Sequence, residues 1–484
     1  MKLTKSELLL VVLIFLLTLF LRTYKIEDYL FFGYEQGRDA IIVENIISLK
    51  DFTLVGPSTS IGGIFHGPYY YYLLAIPYFL GKGDPLSASF FLILLGSISS
   101  ILIYIFSKQF FRSKIYALLT SLLFVFSFEY ISYSRWLSNV SPSVLFIILS
   151  FLFLYKYSNS LKQINFILFI LFSSLASQFE MIIFPIIVFI VIAMLLFKVI
   201  KIPSLKALHI SLLVFIIVFF PLILFDFRNQ HISINSLTDF ILNPKIDENA
   251  KTFNPIASFI FQSKLHLQRS LINIENDLII AISLLLTLVG FILFFTKNRS
   301  FGKFILIWAI SGLPLIFIGP GNPQNYVPVG IGWIFLIVAS VKGWIENSRF
   351  KIIGFILIFT IIFSFKNTIN NLIQNKNFFF VTIQEDLNLA DQRKVLHFLN
   401  SDSNGEPYKF LAFTIPSLHP EGWEYLHKYY YPNEAKKKGK FTYIVIEKNV
   451  YPIWENKWIA DLGKTKLIEE KYFGLLRVQK RIAD

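Results

Sequence analysis

The stretch LLLVVLIFLLTLFLRTYKIEDYLFFGYEQGRDA, Leu8–Ala40, joins a long apolar run to a short segment that carries three charges. Such an apolar run is typical of a helix that crosses a bilayer. The rest of the chain resembles it: of 484 residues, 55% are hydrophobic and only 16% are charged, whereas a soluble domain carries about 25% charged residues. The composition therefore predicts a polytopic α-helical membrane protein.

About eleven apolar segments are candidates for transmembrane helices. They lie near 7–22, 87–107, 115–133, 143–157, 164–178, 181–197, 207–225, 277–296, 304–318, 326–341 and 352–365. The first segment is long for a signal peptide and no small-residue cleavage site follows it, so we expect it to be a retained span.

Lys and Arg concentrate in alternate loops, a bias that marks the cytoplasmic side. The loops after the second, fourth, sixth, eighth and tenth segments hold basic clusters such as Lys108, Arg112 and Lys114. This pattern predicts a multi-pass plasma-membrane protein with a cytoplasmic N-terminus. It also places outside the cell the three long segments near 24–86, 226–276 and 367–484.

The C-terminal segment differs in composition from the rest, because it carries many charges of both signs. YKFLAFTI (408–415), FTYIVIE (441–447) and KYFGLLRVQK (471–480) are typical of strands, and EGWEYLHKYY (421–430) of a helix. We therefore expect two domains: a transmembrane domain over 1–366, with interfacial helices in its first outside loop, and an extracytoplasmic α/β domain over 367–484.

Several kinds of chemistry are excluded or left without support. The chain has no Cys, so it has no disulfide and no thiolate nucleophile. It lacks the P-loop, GxSxG, HExxH and dinucleotide motifs, and its seven His residues show no zinc-ligand spacing. The net charge of +14 fits inside-facing Lys and Arg, and no basic soluble face indicates a nucleic acid partner.

The charged segment of the first outside loop is the first candidate site. If a helix extends back to Glu35, then Glu35, Arg38 and Asp39 share one side at positions i, i+3 and i+4. Arg38 could then hold both carboxylates in place, which suits an oriented and ionised base. The alternative is an exposed helix start whose acids lie near the helix N-terminus for electrostatic reasons.

A second unusual piece of this loop is GGIFHGPYYYYLLAIPYFL, Gly62–Leu80. Gly67 and Pro68 predict a turn before an apolar, aromatic helix that is too short to be a clean span, so we expect it to lie at the level of the lipid headgroups. His66 either donates to a phosphate or caps the turn. The tyrosines from Tyr69 onward form either an aromatic belt or ligand contacts.

Other candidates lie at the outer ends of spans. Arg135, Asp226 and Arg228 are expected to snorkel towards the headgroups, although an arginine there can also grip phosphate. Tyr326 follows a Pro-rich loop and begins a span. Glu180 is nearly intramembrane, which makes it either a functional residue or a simple loop tip.

These motifs together resemble the membrane glycosyltransferases of the C-type fold, in the branch of protein O-mannosyltransferases and lipid A aminoarabinose transferases. The family pattern acid-acid-x-Arg-(Tyr/Asp)-Ala reads Glu35-Gln36-Gly37-Arg38-Asp39-Ala40 here. The family's Lys/His-Pro-Pro-x-Tyr-Tyr element reads His66-Gly67-Pro68-Tyr69-Tyr70. Loop length and order also agree over about 1–340. Glu35 replaces the usual Asp, and Gln36 replaces a second acid, which puts in doubt any metal site that needs two adjacent carboxylates.

The resemblance implies a polyprenyl-phosphate sugar donor and an acceptor protein, lipid or glycan outside the membrane, with no certain cofactor and a possible divalent cation. It implies that Glu35 is the base, Arg38 its orienting partner, and Asp39 a supporting or alternative base. His66, Tyr69, Arg228 and Tyr326 are the residues expected to bind the donor phosphate or sugar. There are two alternatives. One is a flippase for a polyprenyl-linked sugar, which would require charged residues within the spans, and the other is a non-catalytic membrane protein.

Overall fold

The computed structural model describes residues 4–243, 276–317, 323–376, 387–415, 418–432, 439–448, 452–463 and 465–483, with isolated positions between 257 and 273. The part up to Asn243 folds into twelve helices. Their bounds are α1 Lys5–Thr23, α2 Ile26–Tyr29, α3 Tyr34–Ile47, α4 Tyr69–Leu80, α5 Pro85–Phe111, α6 Lys114–Val125, α7 Phe128–Arg135, α8 Val140–Ser160, α9 Gln163–Phe179, α10 Ile183–Leu196, α11 Leu205–Arg228 and α12 Ile232–Leu242.

The described residues after 276 add four more membrane-region helices and a C-terminal α/β unit. The helices are α13 Asp277–Lys297, α14 Arg299–Ala309, α15 Val327–Ile345 and α16 Lys351–Ile373. The last of them crosses the boundary predicted at 366. The C-terminal unit consists of α17 Leu389–Asp402, β1 Tyr408–Phe413, α18 Glu421–Tyr430, β2 Phe441–Ile446, α19 Pro452–Asp461, β3 Thr465–Phe473 and β4 Leu476–Ala483.

Seven helices in the described part of the chain are long and apolar enough to cross a membrane: α1, α5, α8, α11, α13, α15 and α16. The predicted span 115–133 is a pair of helices, α6 and α7, bent by 55°, and it is an eighth span if the pair crosses together. The predicted span 304–318 is not one helix, because α14 ends at Ala309 and a 3-10 turn follows at Leu313–Phe317. Helices α9 and α10 are apolar but short. The helical membrane fold is confirmed, while the count of eleven spans and the orientation of the termini stay predictions.

The two ends of the helix bundle can be identified from α1. Thr4 caps this helix, since the Thr4 Oγ1 accepts from Glu7 N–H and Thr4 N–H donates to Glu7 Oε2 at 2.8 Å. Glu7 is buried and forms ion pairs with Lys108, near the end of α5, and with Lys114 at the start of α6. The start of α1 is therefore tied to the α5–α6 junction, while its end leads at the opposite face into α2 and α3.

The C-terminal unit shares a hydrophobic core with the first loop. Val43 of α3, Tyr71 of α4, Leu396 of α17 and Trp423 of α18 belong to one cluster of buried side chains. A separate large cluster fills the space between the spanning helices. The segment between α1 and α5 is therefore packed against the C-terminal unit and does not lie free in solvent.

Hydrogen bonds hold the C-terminal unit on the chain that leads into α3. Leu389 N–H donates to the carbonyl of Leu30 at 2.9 Å, and Gln392 Nε2 donates to the carbonyl of Phe32 at 2.9 Å. Further along α3, Lys428 forms an ion pair with Glu44 at 2.6 Å. Contacts of this kind on both sides of its N-terminal turn fix the position of α3.

Glycines allow α3 and α18 to approach closely. A Cβ atom at Gly37 would lie 2.3 Å from the backbone carbon of Glu421, and one at Gly422 would lie 2.6 Å from the carbonyl oxygen of Gly33. Any larger side chain on either helix would have to push backbone apart. The two glycines thus set the distance between α3 and α18.

Gly37→Ala is therefore expected to lower the free energy of unfolding by about 1–3 kcal/mol, the usual cost of overpacking a well-packed contact. The matched control is Gly62→Ala in the same loop, because a Cβ at Gly62 meets nothing within 4 Å. Thermal unfolding of the purified full chain in detergent measures both. Equal midpoints for the two variants would contradict the close approach of α3 and α18.

The sheet of the C-terminal unit has the strand order β1-β2-β4-β3. β1 and β2 are parallel, whereas β2–β4 and β3–β4 are antiparallel. The two strands predicted at 408–415 and 441–447 and the helix at 421–430 are present. The segment 471–480 is not one strand, because it contains the turn of the β3–β4 hairpin at Gly474 and Leu475.

Candidate functional site

The side chain of Gln36 stabilises the first turn of α3. Its Oε1 accepts from Gly33 N–H at 3.1 Å, and its Nε2 donates to the carbonyl of Leu137 at 3.0 Å. The side chain thereby satisfies an amide at the helix start and ties α3 to the chain after α7. Helix α3 does extend back through Glu35, so Glu35 and Asp39 lie one turn apart on the same face.

Asp39 is the buried carboxylate of the site, with 5% of the residue exposed. Its Oδ1 accepts from Arg38 Nε at 3.0 Å, from Arg38 Nη2 at 2.8 Å, and from the Tyr71 hydroxyl of α4 at 3.2 Å. Burial raises the pKa of Asp39 to about 6, and the Arg38 guanidinium works against that rise. Burial and the Asp39 charge raise the pKa of Tyr71, so its hydroxyl remains a donor.

Glu35 is the more accessible carboxylate. It is half-buried, and its Oε1 accepts from the neighbouring Tyr34 hydroxyl at 3.3 Å. The Tyr34 ring stacks on His419 of the C-terminal unit, with ring centroids 5.3 Å apart. The structure therefore differs from the prediction that Arg38 holds both acids, since Arg38 pairs with Asp39 and the hydrogen bond to Glu35 comes from Tyr34.

His66 is buried against the turn between α9 and α10. Its Nδ1 accepts from Met181 N–H at 3.1 Å, so the ring proton lies on Nε2, which is 3.9 Å from Glu180 Oε1. Burial lowers the pKa of His66 to about 4 and raises that of Glu180 to about 8. Burial therefore favours the uncharged form of both side chains. The phosphate-binding role of His66 stays a prediction.

The other predicted donor ligands lie in two different places. The Tyr69 hydroxyl donates to the carbonyl of Val218 in α11 at 3.1 Å. Arg228 is exposed at the end of the same helix, three residues beyond Phe225, whose ring contacts Phe65 at 5.2 Å. Loop residues next to His66 and the C-terminal end of α11 are thus neighbours. Tyr326, in contrast, is 1% exposed within the core between the spanning helices.

Two charged residues at span ends are buried, although the sequence predicts that they snorkel towards the headgroups. Arg135 is 1% exposed. Its Nη2 donates to the carbonyl of Tyr24 at 2.7 Å, and its guanidinium lies 3.8 Å from the centre of the Tyr29 ring. Asp226 is also buried and accepts from Ser233 N–H at 2.7 Å at the start of α12. Arg135 joins the end of α7 to the segment that contains Tyr24 and Tyr29. Asp226 joins the end of α11 to the start of α12.

Sequence reasoning also missed partners of the site residues. Tyr71 was part of the tyrosine run but was not singled out as the contact of Asp39. Asn139 Nδ2 donates to the carbonyl of Phe179 at 2.6 Å and lies 3.4 Å from Glu180 Oε2. No local signal at Asn139 indicates this role, since the contact joins the ends of α8 and α9.

Metal binding was left open by the sequence. Among the residues that the structure describes, no three His, Asp or Glu side chains converge where they could hold a metal ion. Gln36, which stands where the family carries a second acid, uses both ends of its amide within the protein. The possible binding of a divalent cation stays a prediction.

Two solved structures resemble the whole chain. ArnT from Cupriavidus metallidurans bound to undecaprenyl phosphate aligns with 99% of this chain and 98% of its own, with a TM-score of 0.62 and 10% sequence identity. Its apo state aligns with 98% of each chain, with a TM-score of 0.61 and 10% identity. The chain has the ArnT fold. The resemblance to C-type membrane glycosyltransferases is thereby confirmed at the level of fold.

The family comparison covers part of the transmembrane region. Residues 58–236 match the family model of the dolichyl-phosphate-mannose-protein mannosyltransferases. This segment begins between α3 and α4, contains His66 and α4, and ends in α12. A comparison with curated protein sequences gave no match.

Proposed function

We propose that this ArnT-like protein is a membrane glycosyltransferase, which moves a sugar from a polyprenyl-phosphate donor to an acceptor at the face that carries α3. The observation that carries the proposal is the paired carboxylates of α3, Glu35 half-exposed and Asp39 buried, beside the aromatic helix α4. The match of residues 58–236 to a dolichyl-phosphate-mannose-dependent family supports the donor class. So does the undecaprenyl phosphate bound to one of the ArnT structures of the same fold.

Helix α4 suits a lipid-linked donor. One side of it packs inward through Tyr70, Tyr71 and Leu74, while Phe79 and Leu80 are 68% and 75% exposed. A helix with these two sides fits the boundary between headgroups and acyl chains. The donor phosphate would lie at that level, and its sugar would project towards α3.

Glu35 is the base in this proposal. An acceptor oxygen or nitrogen attacks the anomeric carbon from the side opposite the phosphate, and Glu35 takes the acceptor's proton. The bond between the anomeric carbon and the phosphate oxygen breaks, and the prenyl phosphate leaves with the electron pair. The configuration at the anomeric carbon is inverted. Cationic groups stabilise the leaving phosphate, and Arg228 at the exposed end of α11 is the candidate for this role.

Asp39 positions the site in this proposal. Its carboxylate holds Arg38 and Tyr71 through three hydrogen bonds. Arg38 remains one-third exposed at its side chain and presents its remaining N–H donors beside Glu35. The acceptor, a protein, lipid or glycan, would approach the half-exposed Glu35 beside the stacked rings of Tyr34 and His419.

Incubating the purified full chain with a panel of polyprenyl-phosphate sugars and candidate acceptors tests the proposal. We expect one donor class to release prenyl phosphate, with the sugar recovered on the acceptor in inverted configuration. Glu44→Gln provides a matched control on α3, because Glu44 pairs with Lys428 away from the Asp39 cluster. Movement of intact donor across a vesicle membrane without release of prenyl phosphate would instead establish a flippase.

A further inference from the structure

A cavity of about 750 Å³ lies between the α5–α6 junction and the α8–α9 junction. Its lining includes five cationic side chains and no acidic one; the cations are Lys108, Arg112, Lys114, Lys156 and Lys162. We call this space the basic cavity. Tyr155, also in its lining, donates from its hydroxyl to the carbonyl of Gln109 at 3.1 Å and joins the two junctions.

The basic cavity has far more positive than negative charge around it. Glu7 neutralises part of it through its ion pairs with Lys108 and Lys114. Arg112, Lys156 and Lys162 make no ion pair with any carboxylate in the part of the chain that the structure describes. Such a concave arrangement of like charges creates a positive potential that attracts anions. The charge therefore points to an anionic ligand.

The basic cavity lies at the end of the bundle opposite to the candidate active site. Helix α9 begins beside Lys162, and its far end reaches Gln178 and Glu180, next to His66. Its 17 residues correspond to a rise of about 25 Å. An anion bound in the basic cavity is therefore separate from the donor phosphate that the proposed function requires.

Apolar side chains next to the basic cavity distinguish a lipid from a soluble anion. Ile115 is 76% exposed beside Lys114, Leu161 is 37% exposed beside Lys162, and Ile164 is 55% exposed on the first turn of α9. A soluble phosphate would make no use of this apolar rim. A phospholipid would place its phosphate among the cations and its acyl chains against the rim.

We propose that the basic cavity binds the phosphodiester headgroup of an anionic phospholipid in the leaflet opposite to the active site. Basic residues that only follow the topological charge bias need no cavity. Arg299, Arg349 and Lys351 are examples, since each is exposed and lies outside the cavity lining. These three residues provide the matched control.

Equilibrium binding of fluorescent phosphatidylglycerol to the purified full chain in detergent micelles tests the proposal, with phosphatidylcholine as the neutral comparison. We expect phosphatidylglycerol to bind at least about tenfold more tightly than phosphatidylcholine. The triple variant Arg112→Gln, Lys156→Gln, Lys162→Gln should reduce this preference to about twofold or less. Lys162→Gln alone, an exposed single change that leaves the packing intact, should weaken phosphatidylglycerol binding about threefold to fivefold.

The control triple Arg299→Gln, Arg349→Gln, Lys351→Gln removes the same charge and should keep the preference. An equal loss in both triples would overturn the proposal, because general surface charge would then explain the binding. Inorganic phosphate and glycerol phosphate supply the headgroup chemistry without acyl chains. Displacement of the labelled lipid by either of them at concentrations comparable to the lipid would show a soluble-anion site instead. None of these measurements depends on transferase activity.

Discussion

Glu35→Gln is expected to lower kcat for sugar transfer by about 10²- to 10⁴-fold, the usual contribution of a positioned general base. The amide has nearly the same shape as the carboxylate and can keep the hydrogen bond from Tyr34, which the structure places at 3.3 Å. It cannot accept the proton of the attacking acceptor. The donor itself should bind with unchanged affinity, since Glu35 contacts the acceptor, and not the donor, in the proposed reaction.

Single-turnover release of prenyl phosphate and equilibrium binding of the donor measure the two quantities separately. The control Glu44→Gln makes the same chemical change about two and a half turns further along α3, at an ion pair with Lys428. It should retain transfer within about threefold, because an exposed ion pair contributes little. Full activity of Glu35→Gln would eliminate Glu35 as the base and leave Asp39 as the remaining carboxylate on this face.

The sequence predicts the charged face of α3 well because that face depends on local periodicity. Glu35 and Asp39 are one helical turn apart, and no tertiary contact is needed to place them on the same side. The same holds for α4, whose start follows from Gly67 and Pro68. The sequence does not predict which acid Arg38 binds. That choice depends on the Tyr71 hydroxyl, which comes from a different helix 32 positions further along the chain.

Arg135 and Asp226 are exceptions to the rule that charged residues at the ends of transmembrane spans snorkel towards the headgroups. Each stands where snorkelling into the headgroups is the default, yet each is buried. The partner of Arg135 is Tyr29, more than a hundred residues earlier in the chain, and Asp226 meets the start of a helix that the sequence analysis did not predict. The sequence likewise does not predict that the C-terminal unit packs on α3. The close approach of the two helices needs both Gly37 and Gly422, which lie far apart in the chain.

Asp39→Asn is expected to lower kcat/KM by about 100-fold at pH 8, the scale of loss from a misplaced catalytic group. The asparagine oxygen can still accept one or two hydrogen bonds, but it no longer neutralises the Arg38 guanidinium, whose side chain is only 32% exposed. Arg38 would then turn towards Glu35 or solvent. Asp39 does not touch substrate in the proposed reaction, so its effect acts through Arg38 and Tyr71.

The pH dependence distinguishes this positioning role from a general loss of stability. The pKa of Asp39 is about 6, so the wild-type carboxylate is charged above pH 6 and becomes neutral as the pH falls through that value. Below it, the wild-type protein increasingly resembles Asp39→Asn. The ratio of wild-type to variant kcat/KM should therefore fall from about 100 at pH 8 to about 10 at pH 5.

Tyr72→Phe is the matched control on the neighbouring helix. Its hydroxyl donates to the carbonyl of Thr53 at 2.8 Å, whereas the Tyr71 hydroxyl donates to Asp39. Tyr71→Phe should reproduce part of the Asp39→Asn defect, since it removes one of the three donors to that carboxylate, and Tyr72→Phe should leave kcat/KM within about twofold. A ratio that stays constant from pH 5 to pH 8 would contradict the role of the ionised Asp39. The carboxylate would then matter only for packing α3 against α4.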